Sequence, residues 1–343
     1  MKRNWLSYMC MAALLSGALT SCNESSFLNL SDPNHFTESN FWKDKADAES
    51  ALAAAYSPIK GAMYGYFSAF DGWLNLNGRG DDIFTIKGEE VPMWNIANFL
   101  NSPSTGNDPY GALYSGIQRA NIVLRYIDQI PASGITEEDR SMIKGEALFL
   151  RGYQYFLLVN NYKEVPLRLI PSNEDETNKG PASEAALWTQ VEEDLGNAIK
   201  CNLPVERTTA KERVTKGAAI AMLGKVYATQ HKYPEAKQLL VSLLSAPYSY
   251  ELVDDFAKNF TNEEEFNKES VYEIAYSPDG EYSWSNESGI CLGCYIPQFI
   301  GPVKSGGWAK LMPNSFIVGE FTKETRPNGA DTNFDKRIYA SLF

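Results

Sequence analysis

Between Ile220 and Leu240 the sequence carries a spacing that few folds can accommodate. Ile220, Leu223, Gly224 and Tyr227 are followed by Ala236 and Leu240. Small residues at Gly224 and Ala236 let two antiparallel helices approach closely, and the large residues fill the groove between them. This is the spacing of a tetratricopeptide helix pair. Gly152 and Tyr155 repeat the interval of Gly224 and Tyr227, so the helix over 145–162 reads as half of a second, degenerate unit. Such units cannot bury their apolar faces singly, and about three are needed for stability. Further degenerate units or neighbouring helices must therefore complete the packing.

The rest of the chain reads as helices separated by two unusual stretches. Ala46, Ala48, Ala51, Leu52, Ala53, Ala54 and Ala55 favour a helix between Phe41 and Met63. Helices return at about 110–130 and 136–162, the second nearly all apolar from Ala147 to Val159 and so expected to be deeply packed. After a polar loop over 171–183, Trp188, Val191, Leu195 and Ile199 form one stripe of another helix, which Pro204 closes. Residues 64–110 and 277–315 differ in character, mixing glycine and proline with large aromatics. Long loops in compact domains are functional or disordered, and the aromatics favour function. Between the helices and the second stretch, Val271-Tyr-Glu-Ile-Ala-Tyr276 alternates like a strand. The expected fold is mainly α, with tetratricopeptide-like helix pairs and a loop-rich, partly β ligand-binding face.

The amino terminus assigns a compartment. Lys2 and Arg3 precede an apolar run from Trp5 to Ala18, which is too short to span a bilayer but suits a secretory leader. Small residues then lead into Cys22, a pattern that resembles the lipobox at which a lipoprotein is cut and acylated. The expected organisation is a signal peptide over 1–21, a lipidated tether over 22–40, a helical domain over 41–270 containing the 64–110 insertion, and a mixed loop and strand region over 271–343 that continues beyond 343. The full chain carries a net charge of −12, and the leader takes two cations with it. Such a field repels nucleic acid, which is excluded as a partner. Beyond Cys10 and Cys22, Cys201, Cys291 and Cys294 remain. Cys291 and Cys294 suit a local disulfide or two free thiols better than a metal site, since the histidines, His35 and His231, lie far from them in sequence. No metal or cofactor is expected.

Six blocks in order resemble the SusD/RagB family of nutrient-binding outer-membrane lipoproteins. They are Phe36-Thr-Glu-Ser-Asn-Phe-Trp42; Tyr114-Ser-Gly-Ile-Gln-Arg-Ala-Asn121; Gly145 through Phe156, running on to Val165-Pro166-Leu167; Glu193-Asp-Leu195 leading to Leu203-Pro204; Arg213-Val-Thr-Lys-Gly-Ala-Ala219; and Asn267 through Ile274. The resemblance implies a SusD-like α–α superhelix. It also implies an acylated protein of the outer membrane, facing outward, that captures a glycan or a peptide and passes it to a SusC-like TonB-dependent transporter. Family members are longer, so the chain resembles a carboxyl-terminally incomplete member.

A sugar site needs flat apolar faces for C–H groups and amides, carboxylates or arginine for hydroxyls. Both aromatic stretches hold that mixture. The candidate ligand-binding residues are Trp73, Asn77, Arg79, Asp81, Trp94 and Asn95 in the first, and Trp284, Tyr295 and Trp308 in the second. The two stretches are expected to converge on one shallow site. A glycoside hydrolase would need two carboxylates facing across the sugar bond. Asp81, Asp82, Glu89 and Glu90 supply acids, but adjacency does not make such a pair, so no catalytic residue is assigned. Asn75 to Asp82 lacks the closing glutamate of a calcium loop and has Arg79 where an oxygen ligand belongs. Arg151, inside a very apolar helix, must find an acidic partner.

Overall fold

The computed structural model describes residues 41–60, 67, 72, 77–85, 91–100, 109–277, 293–323, 335 and 337–341. The expected signal peptide, Cys22, the tether and His35 lie outside these residues. The chain divides into two units, Met1–Lys43 and Asp44–Phe343. In the first, the rings of Phe41 and Trp42 meet edge to face with centroids 5.3 Å apart. The second holds helices α1 (Lys45–Tyr56), α2 (Val91–Ala97), α3 (Tyr110–Tyr126), α4 (Glu137–Tyr162), α5 (Glu184–Lys200), α6 (Lys216–Thr229), α7 (Tyr233–Ser242), α8 (Ile296–Ile300) and α9 (Ser315–Lys323). Two short strands, β1 (Ile83–Thr85) and β2 (Leu311–Pro313), pair with each other.

Helices α1, α4, α5 and α6 begin where the sequence supplies a side-chain cap, whereas α3, which follows Pro109, has none. The Asp44 carboxylate accepts from the Ala46 and Asp47 amides, and Asp47 reaches back to the Asp44 amide. Thr136, Ser183 and Thr215 cap α4, α5 and α6 in the same manner. Each such cap stabilises by about 1 kcal/mol. Packing then runs in sequence order: α1 and α3 both lie on α4, α4 on α5, α5 on α6, and α6 on α7. That arrangement, a stack of helix pairs each contacting its neighbours, is the tetratricopeptide-like fold expected from Gly224. Helix α4 is its centre, with Ala147, Phe149, Leu150, Tyr155, Leu158 and Val159 all buried.

The glycines behave as the spacing requires. A Cβ on Gly224 would lie 2.7 Å from Leu240 Cδ2 on α7, and one on Gly152 would lie 3.1 Å from Asp194 Cβ on α5. The tightest approach is at Gly116 of α3, where a Cβ would sit 1.6 Å from Gln154 Oε1. Gln154 is fully buried and donates to the Leu150 carbonyl at 2.9 Å, so its amide has nowhere to retreat. Gly116→Ala is therefore expected to overpack the α3–α4 contact by about 1–3 kcal/mol. A lowered urea midpoint with unchanged helical circular dichroism would show this; an unchanged midpoint would mean that the contact is looser than drawn.

Two buried ionic clusters lock the stack. Arg151 on α4 pairs with Asp194 on α5 through Nη2 to Oδ1 at 2.6 Å and Nε to Oδ2 at 2.8 Å. Its Nη1 donates to Asn121 Oδ1 of α3 at 2.9 Å and to the Leu169 carbonyl at 3.2 Å. This is the acidic partner the sequence demanded. Glu146, also on α4 and 0% exposed, accepts from Arg207, from both Nε and Nη2 of Arg213, and from the Tyr56 hydroxyl of α1. Burial and the Glu146 charge together push the Tyr56 hydroxyl well above its ordinary pKa.

One expectation fails. Residues 271–276 form no strand and join no ladder among the described residues. Alternation favours extension, whereas a strand also needs a partner edge. Here the segment is held by side chains: the Tyr272 ring meets Phe149 edge to face, and the Tyr276 hydroxyl donates to the Phe67 carbonyl at 2.6 Å.

Candidate functional site

The two aromatic stretches meet through the β1–β2 ribbon. Ile83 faces Pro313, Phe84 faces Met312 and Thr85 faces Leu311 in antiparallel register. Beyond the ribbon, the Asn314 amide donates to the Asp82 carbonyl at 3.0 Å, and its side-chain Nδ2 donates to the Asp81 carbonyl. The same side chain's Oδ1 accepts from the Ile317 amide at 3.0 Å and so caps α9. A single asparagine thus fixes the first stretch to the start of α9.

Period-two alternation sorts the ribbon into an inner and an outer face. Thr85 and Leu311 point inward and are buried, while Phe84 is 43% exposed. The inner face joins a small core of Met93, Tyr295, Phe299 and Leu311, against which Ile83, Ile296 and Trp308 pack. Segment 308–310 folds back on α8, with Trp308 N–H donating to the Gln298 carbonyl at 2.7 Å and Lys310 N–H to the Phe299 carbonyl at 3.0 Å. The Phe299 and Trp308 rings meet edge to face, 6.2 Å between centroids. The lobe is tied to the helical stack where Arg79 Nη2 donates to Asn161 Oδ1 at the end of α4, at 2.9 Å.

Most of the candidate ligand residues that fall within the described residues lie around this lobe. Asn77 and Asp81 are exposed beside β1, and Arg79 is half-buried against Asn161. Trp94 and Asn95 are half-buried on α2, which packs on β1. Trp308 is half-buried on the edge of the small core. Tyr295 is 8% exposed and belongs to that core, so little of its ring faces solvent. Trp73 and Trp284 lie outside the described residues. Three residues of the lobe were missed. Phe84 and Met312 form the outward pair of the ribbon, and Asn314 is its clamp. For Asn314 a signal existed, because asparagine before the apolar Phe316-Ile-Val318 is a helix-start pattern.

Half-buried indole rings, a guanidinium, amides and carboxylates can contact sugar C–H faces and hydroxyls. No group of histidine, cysteine and acidic residues able to hold a metal occurs among the described residues. Cys201 and Cys294 are free thiols, both raised above the ordinary thiol pKa chiefly by burial. Among the described residues, no helix is long and apolar enough to cross a membrane.

Stacked helix pairs that carry a small loop-and-ribbon lobe define a helical-repeat scaffold, and comparison with known proteins narrows the class. Residues 80–228 match a family described as starch-binding and associating with the outer membrane, and residues 268–343 match the SusD family. A SusD superfamily protein from Bacteroides vulgatus is 30% identical and superposes with a TM-score of 0.75 over 87% of this chain and 61% of its own. A laminarin-binding SusD-like protein, also 30% identical, superposes with a TM-score of 0.65 over 71% of this chain and 54% of its own. SusD-like protein P38 of Formosa agariphila is 26% identical over 234 residues, which is 67% of this chain and 43% of that protein. The chain belongs to the SusD/RagB family. It spans less than two thirds of the length of each of these relatives.

Proposed function

We propose that this protein captures a polysaccharide or oligosaccharide at the outer face of the outer membrane, without cleaving it, and hands it to a SusC-like TonB-dependent transporter. The observation that carries the reading is the convergence of both aromatic, amide-rich stretches on the β1–β2 lobe. Family membership and the laminarin-binding relative support the choice of glycan. The leader before Cys22 supports a lipid anchor, and two or more acyl chains give stable attachment.

The test is binding of the protein freed of residues 1–22 to laminarin and a panel of other polysaccharides on native affinity gels, with product analysis on the same samples. Retardation by at least one polysaccharide without shortened products is expected. Trp94→Ala and Trp308→Ala are each expected to weaken it about tenfold, or about 1.4 kcal/mol. Asn77→Ala and Asp81→Ala, both exposed and so unable to act through the core, should weaken it by a few-fold. Full binding by all four variants would remove the lobe as the site, and shortened oligosaccharides would overturn the non-enzymatic reading.

A further inference from the structure

The candidate ligand residues Asn77 and Asp81 sit on a turn whose main chain is anchored while their own side chains are unengaged. The Gly80 N–H donates to the Asn77 carbonyl at 2.8 Å and closes the turn. A Cβ on Gly80 would lie 3.1 Å from that same carbonyl oxygen and 2.6 Å from Asp82 Oδ1, so the closure is tight. On one side Arg79 reaches Asn161 of α4. On the other, Asn314 donates to the carbonyls of both Asp81 and Asp82. Asn77, Asp81 and Asp82 are exposed, and among the described residues their side chains have no hydrogen-bond or ion-pair partner.

Such a turn holds polar groups ready, so less freedom is lost when a ligand engages them. Of its anchors, Asn314 has the most specific chemistry. Its Oδ1 caps α9 by accepting from the Ile317 amide, while its Nδ2 holds the Asp81 carbonyl. Aspartate and serine cap a helix about as well as asparagine. Ionised aspartate carries no donor, however, and the serine hydroxyl ends one atom short of Nδ2. Asparagine alone of the three can cap the helix and clamp the turn. The main-chain tie from Asn314 to Asp82 survives either change, so the side-chain clamp can be removed by itself. Both polar ends of the side chain are engaged within the protein, so it acts through the turn and not on the ligand. We infer that Asn314 is a positioning residue, which holds the 77–82 turn in its binding shape and thereby raises the affinity of the lobe for glycan. The inference rests on the reading of the lobe as the glycan site.

The test compares the wild type with Asn314→Asp and Asn314→Ser, each freed of residues 1–22, by calorimetric titration with laminarihexaose, maltohexaose, xylohexaose and mannohexaose. Both variants keep a helix cap and serine adds no charge, so equal losses in the two report the clamp. Each should raise the Kd of whichever hexaose binds about tenfold at unchanged stoichiometry. A merely structural defect would lower the stoichiometry and leave the Kd alone. Backbone order parameters over 79–82 should fall from about 0.85 to below about 0.6 in both variants, while those of α9 stay high. Bound hexaose should restore them. Three results would overturn the inference while leaving the glycan reading in place: a wild-type Kd in both variants, unchanged order over 79–82, or a loss confined to Asn314→Asp, which would be repulsion from Asp81 and Asp82. A wild type that binds none of the four hexaoses would overturn the glycan reading, and the inference with it.

Discussion

Glu146→Ala is expected to destabilise the protein by about 3–5 kcal/mol, measured as a shift of the urea unfolding curve at constant slope. The carboxylate is 0% exposed and accepts from two arginines at 2.7–2.9 Å and from the Tyr56 hydroxyl at 2.6 Å. Its removal does not harm the two arginines equally. Arg213 keeps Glu49 at 2.7 Å. Arg207, with its side chain 10% exposed, keeps the Val214 carbonyl but loses its carboxylate. An isolated charge with so little water around it is the main source of the cost. Tyr56 would lose its acceptor yet still receive the Val214 amide at 3.0 Å. Glu146→Gln keeps the shape and some hydrogen bonds without the charge, so it should fall between the wild type and alanine. If alanine cost under about 1 kcal/mol, water must reach Arg207, and the cluster would be a surface feature with the small worth such pairs have.

Those clusters mark what the sequence could and could not reveal. Gly224 and Gly152 were legible because a close helix approach is a local steric demand, written at a fixed interval. The need for an acid near Arg151 was legible from its apolar helix, but the choice of Asp194 was not, since it depends on how α5 is rotated. The stripe expected on α5 holds at Val191 and Leu195, but its two ends were read one position off for the same reason. Leu187, Val191, Leu195 and Ala198 are its fully buried apolar residues, with Trp188 and Ile199 on the flanks. The β1–β2 ribbon was the least legible part. Three-residue strands carry too little periodicity to be seen, and their pairing joins segments far apart in the chain. The burial of Tyr295 was not legible either, because composition identifies an aromatic lobe without saying which ring faces inward. Val271–Tyr276 erred in the opposite direction: its alternation was clear, yet a ladder requires an edge that the pattern does not name.

Asp194→Ala and Arg151→Met are each expected to cost about 3–5 kcal/mol singly, while Arg151→Met with Asp194→Leu together should fold with stability near that of the wild type. Each single change strands one charge of a pair whose carboxylate side chain is 2% exposed and whose guanidinium side chain is 10% exposed. The double change strands neither and adds apolar volume between α4 and α5. The departure from additivity would measure the coupling of the pair. One further loss should remain in the double variant. Arg151 also holds the Leu169 carbonyl, and Asn121 donates to the Arg168 and Ile170 carbonyls while accepting from Arg151. Without the guanidinium, Asn121 Oδ1 loses its donor and the 168–170 segment loses one of its ties. Amide exchange around 168–170 should therefore be faster in the double variant even where the urea midpoint is restored. Double-variant stability equal to the sum of the two single losses would show that α4 and α5 need the ion pair itself. The purpose of the pair would then be to hold the two helices in register, not only to avoid a buried unpaired charge.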